Sequence, residues 1–265
     1  MRSDYEPIIV NTPKDFKQIT LYFLHDIHKG SAQHDDKKFE AVMAMILDDP
    51  SAYCCIVGDA IENAIPGGKS DVFYQTIPPH EQKEWVAAQL ERLGDKVLAV
   101  VDGNHERNRS TKTAGLFPLY DACARVRMED RYRPHFAALD IGVGLNAKQG
   151  GGKQTRYFGY LVHQAKNQVR FGAPDMLEGF DFLVSGHDHQ PHDRPRGKIV
   201  YDPYSKVVSH RDVEHINCGA FMAYGDYASD AGRRPAAQKM YKLILNGSSK
   251  KCGMQTIGFY VETTR

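Results

Sequence analysis

Five short apolar runs in this chain each stop at residues that bind metals or move protons. Tyr53-Cys54-Cys55-Ile56-Val57 ends at Gly58-Asp59, and Leu21-Tyr22-Phe23-Leu24 ends at His25-Asp26-Ile27-His28. Val97-Leu98-Ala99-Val100-Val101 ends at Asp102-Gly103-Asn104-His105-Glu106. The run up to Val162 ends at His163, and Phe182-Leu183-Val184 ends at Ser185-Gly186-His187-Asp188-His189. A short apolar run bounded by polar sequence reads as a strand covered on both faces. In an open α/β sheet the ligand lies outside the carboxyl ends of the strands. A single run of this kind is an ordinary strand end. Five that end in the same chemistry are hard to explain by core packing.

A chain of 265 residues is long enough to bury a sizeable core, and 1–265 reads as a single α/β domain with no internal repeat or linker. Its 42% hydrophobic and 25% charged residues are ordinary for a globular protein. The formal net charge of +1 gives no global attraction to nucleic acid or to a membrane. No apolar run spans a bilayer, and Met1 to Glu6 lacks the apolar stretch of a signal peptide. The five cysteines are odd in number and lack zinc-ribbon spacing, so the expected setting is a reducing cytoplasm, bacterial or viral.

The pattern predicts a first strand at residues 19–24, after a lead-in broken by Pro7 and Pro13. Asp35 or Asp36 then caps a helix running to about Leu47, with Phe39, Val42, Met43, Ile46 and Leu47 at helical spacing. The strand at 53–57 completes a βαβ unit and favours a parallel pair. Residues 63–79, which include Lys69 and Tyr74, form an irregular insert directly after Asp59, placed to wall a site. A helix is expected over 80–93, with Trp85, Ala88 and Leu93 inward and Gly94 ending it, and another near 119–126.

From about Pro134 the pattern changes to antiparallel β. It predicts strands at 136–143 and 156–162 joined across Gly150-Gly151-Gly152. A hairpin around Asp202-Pro203-Tyr204-Ser205 follows, then strands at 240–245 and 255–261. A βαβ half followed by a mostly β half suggests two sheets packed face to face with helices outside.

The polar residues at the strand ends are Asp26, His28, Asp59, Asn104, His163, His187 and His189. Two carboxylates, four imidazoles and one amide, with no thiolate, suit borderline divalent ions: manganese first, with iron, zinc, nickel, cobalt or magnesium as alternatives. Seven side chains exceed what one catalytic ion needs, because its site must keep a position open. Two ions sharing a carboxylate fit better, and Asp59, central in the set, is the natural bridge. Such ions, roughly 4 Å apart, clamp the attacking and leaving oxygens of a displacement at phosphorus.

Asp26-x-His28, Gly58-Asp59, Gly103-Asn104-His105-Glu106, His163 and Gly186-His187-Asp188-His189 together resemble the signature of the calcineurin-like metallophosphoesterases, of bacterial or phage type. The blocks occur in family order. The resemblance implies a four-layer α/β/β/α sandwich of two mixed sheets flanked by helices. It implies one ion on Asp26, His28, Asp59 and His189, and a second on Asp59, Asn104, His163 and His187. It implies that His105 contacts the phosphate and protonates the leaving oxygen, with a metal-activated hydroxide as nucleophile. Protein phosphatases of the superfamily carry an aspartate and an arginine where this chain has Glu62 and Asn63. Glu62 is thus the candidate to hold His105, and the missing arginine weakens a protein-phosphatase reading.

The expected activity is that of a phosphodiesterase or nuclease-like enzyme on a nucleotide or short single-stranded nucleic acid. The alternative is a phosphomonoesterase acting on nucleotides or phosphoproteins. A scaffold that kept the fold without the chemistry would have lost ligands, and here all are present. Arg107 and Arg109 are candidates to grip phosphate, along with Asn104. His25, His34 and Asp102 read as structural or surface residues. The arginines between 125 and 133 alternate with acids and read as a solvated face. Asn63 to Ser70 lacks the first glycine of a phosphate loop and follows no strand directly, so it is not one.

Overall fold

Strands and helices alternate through the first half of the chain. The structure is a computed structural model in which residues 1–66, 72–146, 152–163, 178–225 and 235–258 are described. β1 (Ile8–Asn11) and β2 (Gln18–Leu24) lead into α1 (Asp36–Asp48), followed by β3 (Ala52–Val57), α2 (Pro79–Leu93) and β4 (Val97–Val101). A helical turn, α3 (Asn104–Glu106), passes through a wider π-type turn at Arg107–Thr111 into α4 (Lys112–Ala114), and α5 (Pro118–Arg125) follows. Then come β5 (Tyr132–Arg133), β6 (Phe136–Val143), β7 (Thr155–Val162), β8 (Phe182–Ser185) and β9 (His192–Asp193). β10 (Arg196–Asp202), β11 (Val207–Asn217), β12 (Lys239–Asn246) and β13 (Cys252–Gly258) complete the described strands.

The result is an α/β fold of two mixed sheets flanked by helices. One sheet has the order β13-β12-β2-β3-β4-β5; the other runs β1-β6-β7-β8-β11-β10, with β9 also paired to β11. β2, β3 and β4 are parallel, joined by crossovers that contain α1 and α2. Every residue of β4 and all but Gln18 of β2 are buried, which accounts for the unbroken apolar runs. β7 instead alternates buried with half-buried residues along its length, as in a strand with one face on the core. Phe23 of β2 meets Phe182 of β8 with ring centroids 6.1 Å apart, which fixes the two sheets face to face. Gly159 of β7 makes room for that ring: a Cβ there would lie 2.2 Å from it.

Asp35 caps α1 by accepting the Lys38 backbone N–H, and Phe39, Val42, Met43 and Ile46 are buried. Leu47, at the edge of that stripe, is exposed. Gly94 ends α2 with φ 54°, a backbone that favours glycine. No helix among the described residues is long and apolar enough to cross a membrane.

Three expectations change. The lead-in contains β1, only four residues long between two prolines, too short for a periodic signal; it pairs parallel to β6. Ala88 faces out, because the buried stripe of α2 is Gln82, Val86, Ala87, Gln89, Leu90 and Leu93. The second half is not simply antiparallel, since β7–β8 and β8–β11 are parallel pairs. Parallel neighbours need a long crossover, and local patterning does not report one. Lys69, the turn at Gly150-Gly151 and the end of the predicted last strand lie outside the described residues.

Candidate metal centre

The loops after β2 and β3 run side by side. The Asp26 N–H donates to the Gly58 carbonyl (3.1 Å) and the His28 N–H to the Asp59 carbonyl (2.9 Å). From the other sheet, the Gly186 N–H donates to the His163 carbonyl (3.1 Å). Both sheets thus deliver their carboxyl ends to one place. Asp26, His28 and His189 form one group of converging ligand atoms; Asp59, His163 and His187 form another. His28 also groups with Asp59 and His105.

The backbone at these positions is unusual. Asp26, His28, Asp59, His187 and His189 all have φ between 48° and 77°. Left-handed backbone is uncommon outside glycine and costs on the order of 1 kcal/mol or more per residue. Five such residues around one point mark a place where the fold accepts strain to aim side chains. Gly58, at φ 77°, carries the turn into Asp59; a Cβ there would come within 2.5 Å of the His163 ring.

Hydrogen bonds divide each carboxylate into a tethered oxygen and a presented one. Asp26 Oδ2 accepts from the His25 ring (2.7 Å) and the His187 N–H (2.8 Å). The Cys218 N–H donates to His25 Nε2, so the proton of that ring sits on Nδ1, facing Asp26. Asp26 Oδ1 is buried with no hydrogen-bond partner. Asp59 Oδ1 accepts the His105 N–H at 2.9 Å, while Oδ2 lies 3.1 Å from His163 Nε2, 3.9 Å from His28 Nε2 and 3.8 Å from His105 Nε2. Asp59 therefore touches both groups.

The imidazoles follow the same logic. His163 Nδ1 donates to the Val57 carbonyl at 2.7 Å, and its buried Nε2 has no hydrogen-bond partner. His28 Nε2 and His189 Nε2 face each other at 3.2 Å, with Asp26 Oδ1 3.8 and 3.3 Å away respectively. Asn104 Oδ1 is likewise buried and unpartnered. Unpaired buried acceptors are costly. The unpartnered atoms of Asp26 and His163, 3.7 Å apart, and the two ring nitrogens turned on each other fit cations in place of the missing partners, so the donor set suits divalent metal.

The electrostatics agree. Burial opposes charge on Asp59, but His163 and His105 outweigh it and hold the carboxyl well below the usual carboxylate range. Asp26 is lowered in the same way, with His189 and His163 overcoming burial. Burial would lower His28, yet Asp26, Glu62 and Asp59 push it up to about 10. His163 is raised to about 9 by Asp59 and Asp26 against burial. A site that holds protons this firmly also attracts metal cations.

Both histidines have an ordinary value of 6.5 and are raised on folding. In the ion-free protein they therefore add stability that is full below about pH 6.5 and fades as the pH passes through 9 and 10. Metal ligation needs both rings neutral. Adding Mn²⁺ at pH 7 should then release on the order of one or two protons per chain. Calorimetric heats that vary with buffer ionisation enthalpy, and affinity that rises from pH 6.5 to 8.5, are the expected results. Heats that are the same in every buffer would contradict this ligand assignment.

His105 is built differently. Its Nδ1 lies 2.9 Å from the Glu62 backbone carbonyl, and Arg109 Nη2 sits 2.9 Å from its Nε2. A guanidinium on that nitrogen repels an ion, which separates His105 from the metal ligands. Burial, with His28 and Arg109 nearby, lowers His105 to about 4 despite Asp59 and Glu62. Glu62 reaches His105 through its main chain. Its side chain contacts His28 Nδ1 (3.1 Å) and Arg109 (3.0 Å), with His105 Nδ1 further off at 3.5 Å. Arg107 donates to the Gly103 carbonyl at 3.2 Å. Asn63 is buried and donates to the His105 carbonyl and to Ser110 Oγ, both at 2.9 Å.

Two contributors escape sequence reasoning. Fully buried Glu106 accepts the backbone N–H groups of Asp59, Gly103 and Ile61 at 3.1, 2.8 and 3.2 Å, tying the loop after β3 to the one after β4. Its only signal is an acid at the end of the Asn104-His105-Glu106 run. His25 aims Asp26, and its only signal is adjacency. Asp102 and His34 are structural, hydrogen-bonded to the Tyr132 hydroxyl and the Ile27 carbonyl respectively. Asp188 is exposed and accepts from the Asn217 amide.

No family model matches this sequence, and no curated protein matches it. Among solved structures, Vps29 from Chaetomium thermophilum is 9% identical, covering 92% of this chain and 97% of its own, with a TM-score of 0.39. The nuclease MPE from Pseudomonas putida is 15% identical, covering 89% and 87%, with a TM-score of 0.35. Likenesses this distant carry no weight for activity.

Proposed function

We propose that this chain is a two-metal phosphoesterase and that its substrates are phosphodiesters of nucleotide or short single-stranded nucleic-acid type. One observation carries the reading: the buried, unpartnered ligand atoms of Asp26 and His163 lie 3.7 Å apart beside Asp59, with His105 and Arg109 alongside. The resemblance of the motif set to metallophosphoesterases supports it.

One ion would rest on Asp26, His28, Asp59 and His189, the other on Asp59, Asn104, His163 and His187. Manganese is the first candidate. Two divalent ions there would supply Lewis-acid activation and neutralise charge at phosphorus. The chain's own residues do the rest. The Glu62 carbonyl keeps the proton of His105 on Nδ1, so Nε2 is the atom that meets substrate. Arg109 occupies that nitrogen until a phosphate oxygen takes its N–H, which frees Nε2 to take up the proton lost by the attacking water and return it to the departing oxygen. Glu62 and Arg107 act as positioning residues, on His28 with Arg109 and on the α3 turn respectively.

The diester choice rests on Asn63. It stands where related phosphatases place an arginine for a dianionic monoester, and its amide is committed to the His105 carbonyl and Ser110. kcat/KM for bis(p-nitrophenyl) phosphate should exceed that for p-nitrophenyl phosphate under one metal condition. A clear monoester preference across Mn²⁺, Ni²⁺ and Zn²⁺ would move the assignment to a phosphomonoesterase.

A further inference from the structure

β10 and the first half of β11 leave the body of the protein as a two-stranded arm. They pair from Arg196 with Val213 to Asp202 with Val207. β11 joins β8 only from Glu214 onward, where it runs parallel with Glu214 beside Phe182. The arm thus projects past the amino end of β8, whereas His187 follows its carboxyl end. This hairpin therefore extends from the end of β8 opposite to the one that leads into His187 and His189.

The arm carries apolar residues without cover. Ile199 is 76% exposed, Tyr201 55% and Val208 63%. The register places Ile199 opposite His210 and Tyr201 opposite Val208, so all three apolar residues share one face of the ribbon. Among the described residues β10 is the end of its sheet, paired on one side only. An apolar edge strand is a template for another chain.

We propose that β10 is a homodimer interface, two copies pairing antiparallel about a two-fold axis at Ile199. The sequence of β10, Arg-Gly-Lys-Ile-Val-Tyr-Asp, is complementary to its own reverse. In that register Arg196 of each copy faces Asp202 of the other, giving two opposite-charge pairs per dimer. Tyr201 faces Gly197, over which the His210 ring lies (a Cβ at Gly197 would be 2.6 Å from its Nε2), so the tyrosine of one copy would pack on that imidazole of the other. Ile199 meets its own copy, and Lys198 stands opposite Val200 on the far face. The pairing joins two seven-stranded sheets into one and leaves both metal centres open.

Sedimentation velocity of the full chain at about 100 μM should show a dimer. Arg196→Asp and Asp202→Arg, each of which sets like charges opposite one another, should weaken it by roughly tenfold or more. The double exchange R196D/D202R should restore it, which a folding defect would not permit. Ile199→Cys should cross-link to itself under mild oxidation. Three results would overturn the proposal: a monomer at this concentration; a dimer indifferent to both charge changes; or a monomer whose retention of an oligonucleotide is lost in R196D, which would assign the arm to nucleic acid.

Discussion

Asp59→Asn should strip the protein of most of its bound metal and nearly all of its turnover. Asparagine keeps the oxygen that accepts the His105 N–H at 2.9 Å, so the α3 turn should stay in place. What it removes is the charge on Oδ2, the atom lying 3.1 Å from His163 and 3.9 Å from His28. If one carboxylate serves both ions, neither binds well without it. Elemental analysis of protein reconstituted with Mn²⁺ should fall from close to two equivalents to less than one. Activity should fall on the order of 10³-fold or more, because metal assistance contributes several kcal/mol at the transition state. Full occupancy with full turnover in the variant would end the bridging role.

His105→Ala should act in the opposite way, leaving metal content unchanged while lowering turnover by roughly 10²–10⁴-fold. The guanidinium 2.9 Å from Nε2 explains why metal should be indifferent to this ring. The informative quantity is the dependence on leaving group. A ring that protonates the departing oxygen matters less when that oxygen leaves easily, so the loss should shrink for nitrophenyl esters and grow for alkyl esters. Equal losses on both would assign His105 and Arg109 jointly to gripping phosphate. Metal content measured on the same samples separates either outcome from a collapsed site.

The candidate ligands were legible because each stands at the end of an apolar run, and a buried strand must surrender its polar residues where it stops. Asp26, Asp59 and His163 could be seen that way one residue at a time. Glu106 could not, because its three hydrogen bonds go to backbone N–H groups and two of those residues lie more than forty positions away. Backbone donors leave no trace in composition. His25 was hidden for a related reason: only the Cys218 N–H on its far nitrogen shows which atom carries the proton. The parallel pairing of β7, β8 and β11 depends on crossovers rather than on strand pattern. The phase of α2 turned on one residue of rotation, which was enough to expose Ala88.

Left-handed backbone at Asp26, His28, Asp59, His187 and His189 sorts side chains before any ion does. Aspartate, asparagine and histidine tolerate that conformation better than most residues. Cysteine and glutamate bind metals too, but lack that tolerance. The preference for oxygen and imidazole donors here is thus partly a property of the main chain. Redesign toward thiophilic ions would have to begin at His163 and Asn104, the two candidate ligands outside that left-handed set. Elsewhere in the site, a cysteine would have to overcome the backbone before it could compete for a metal.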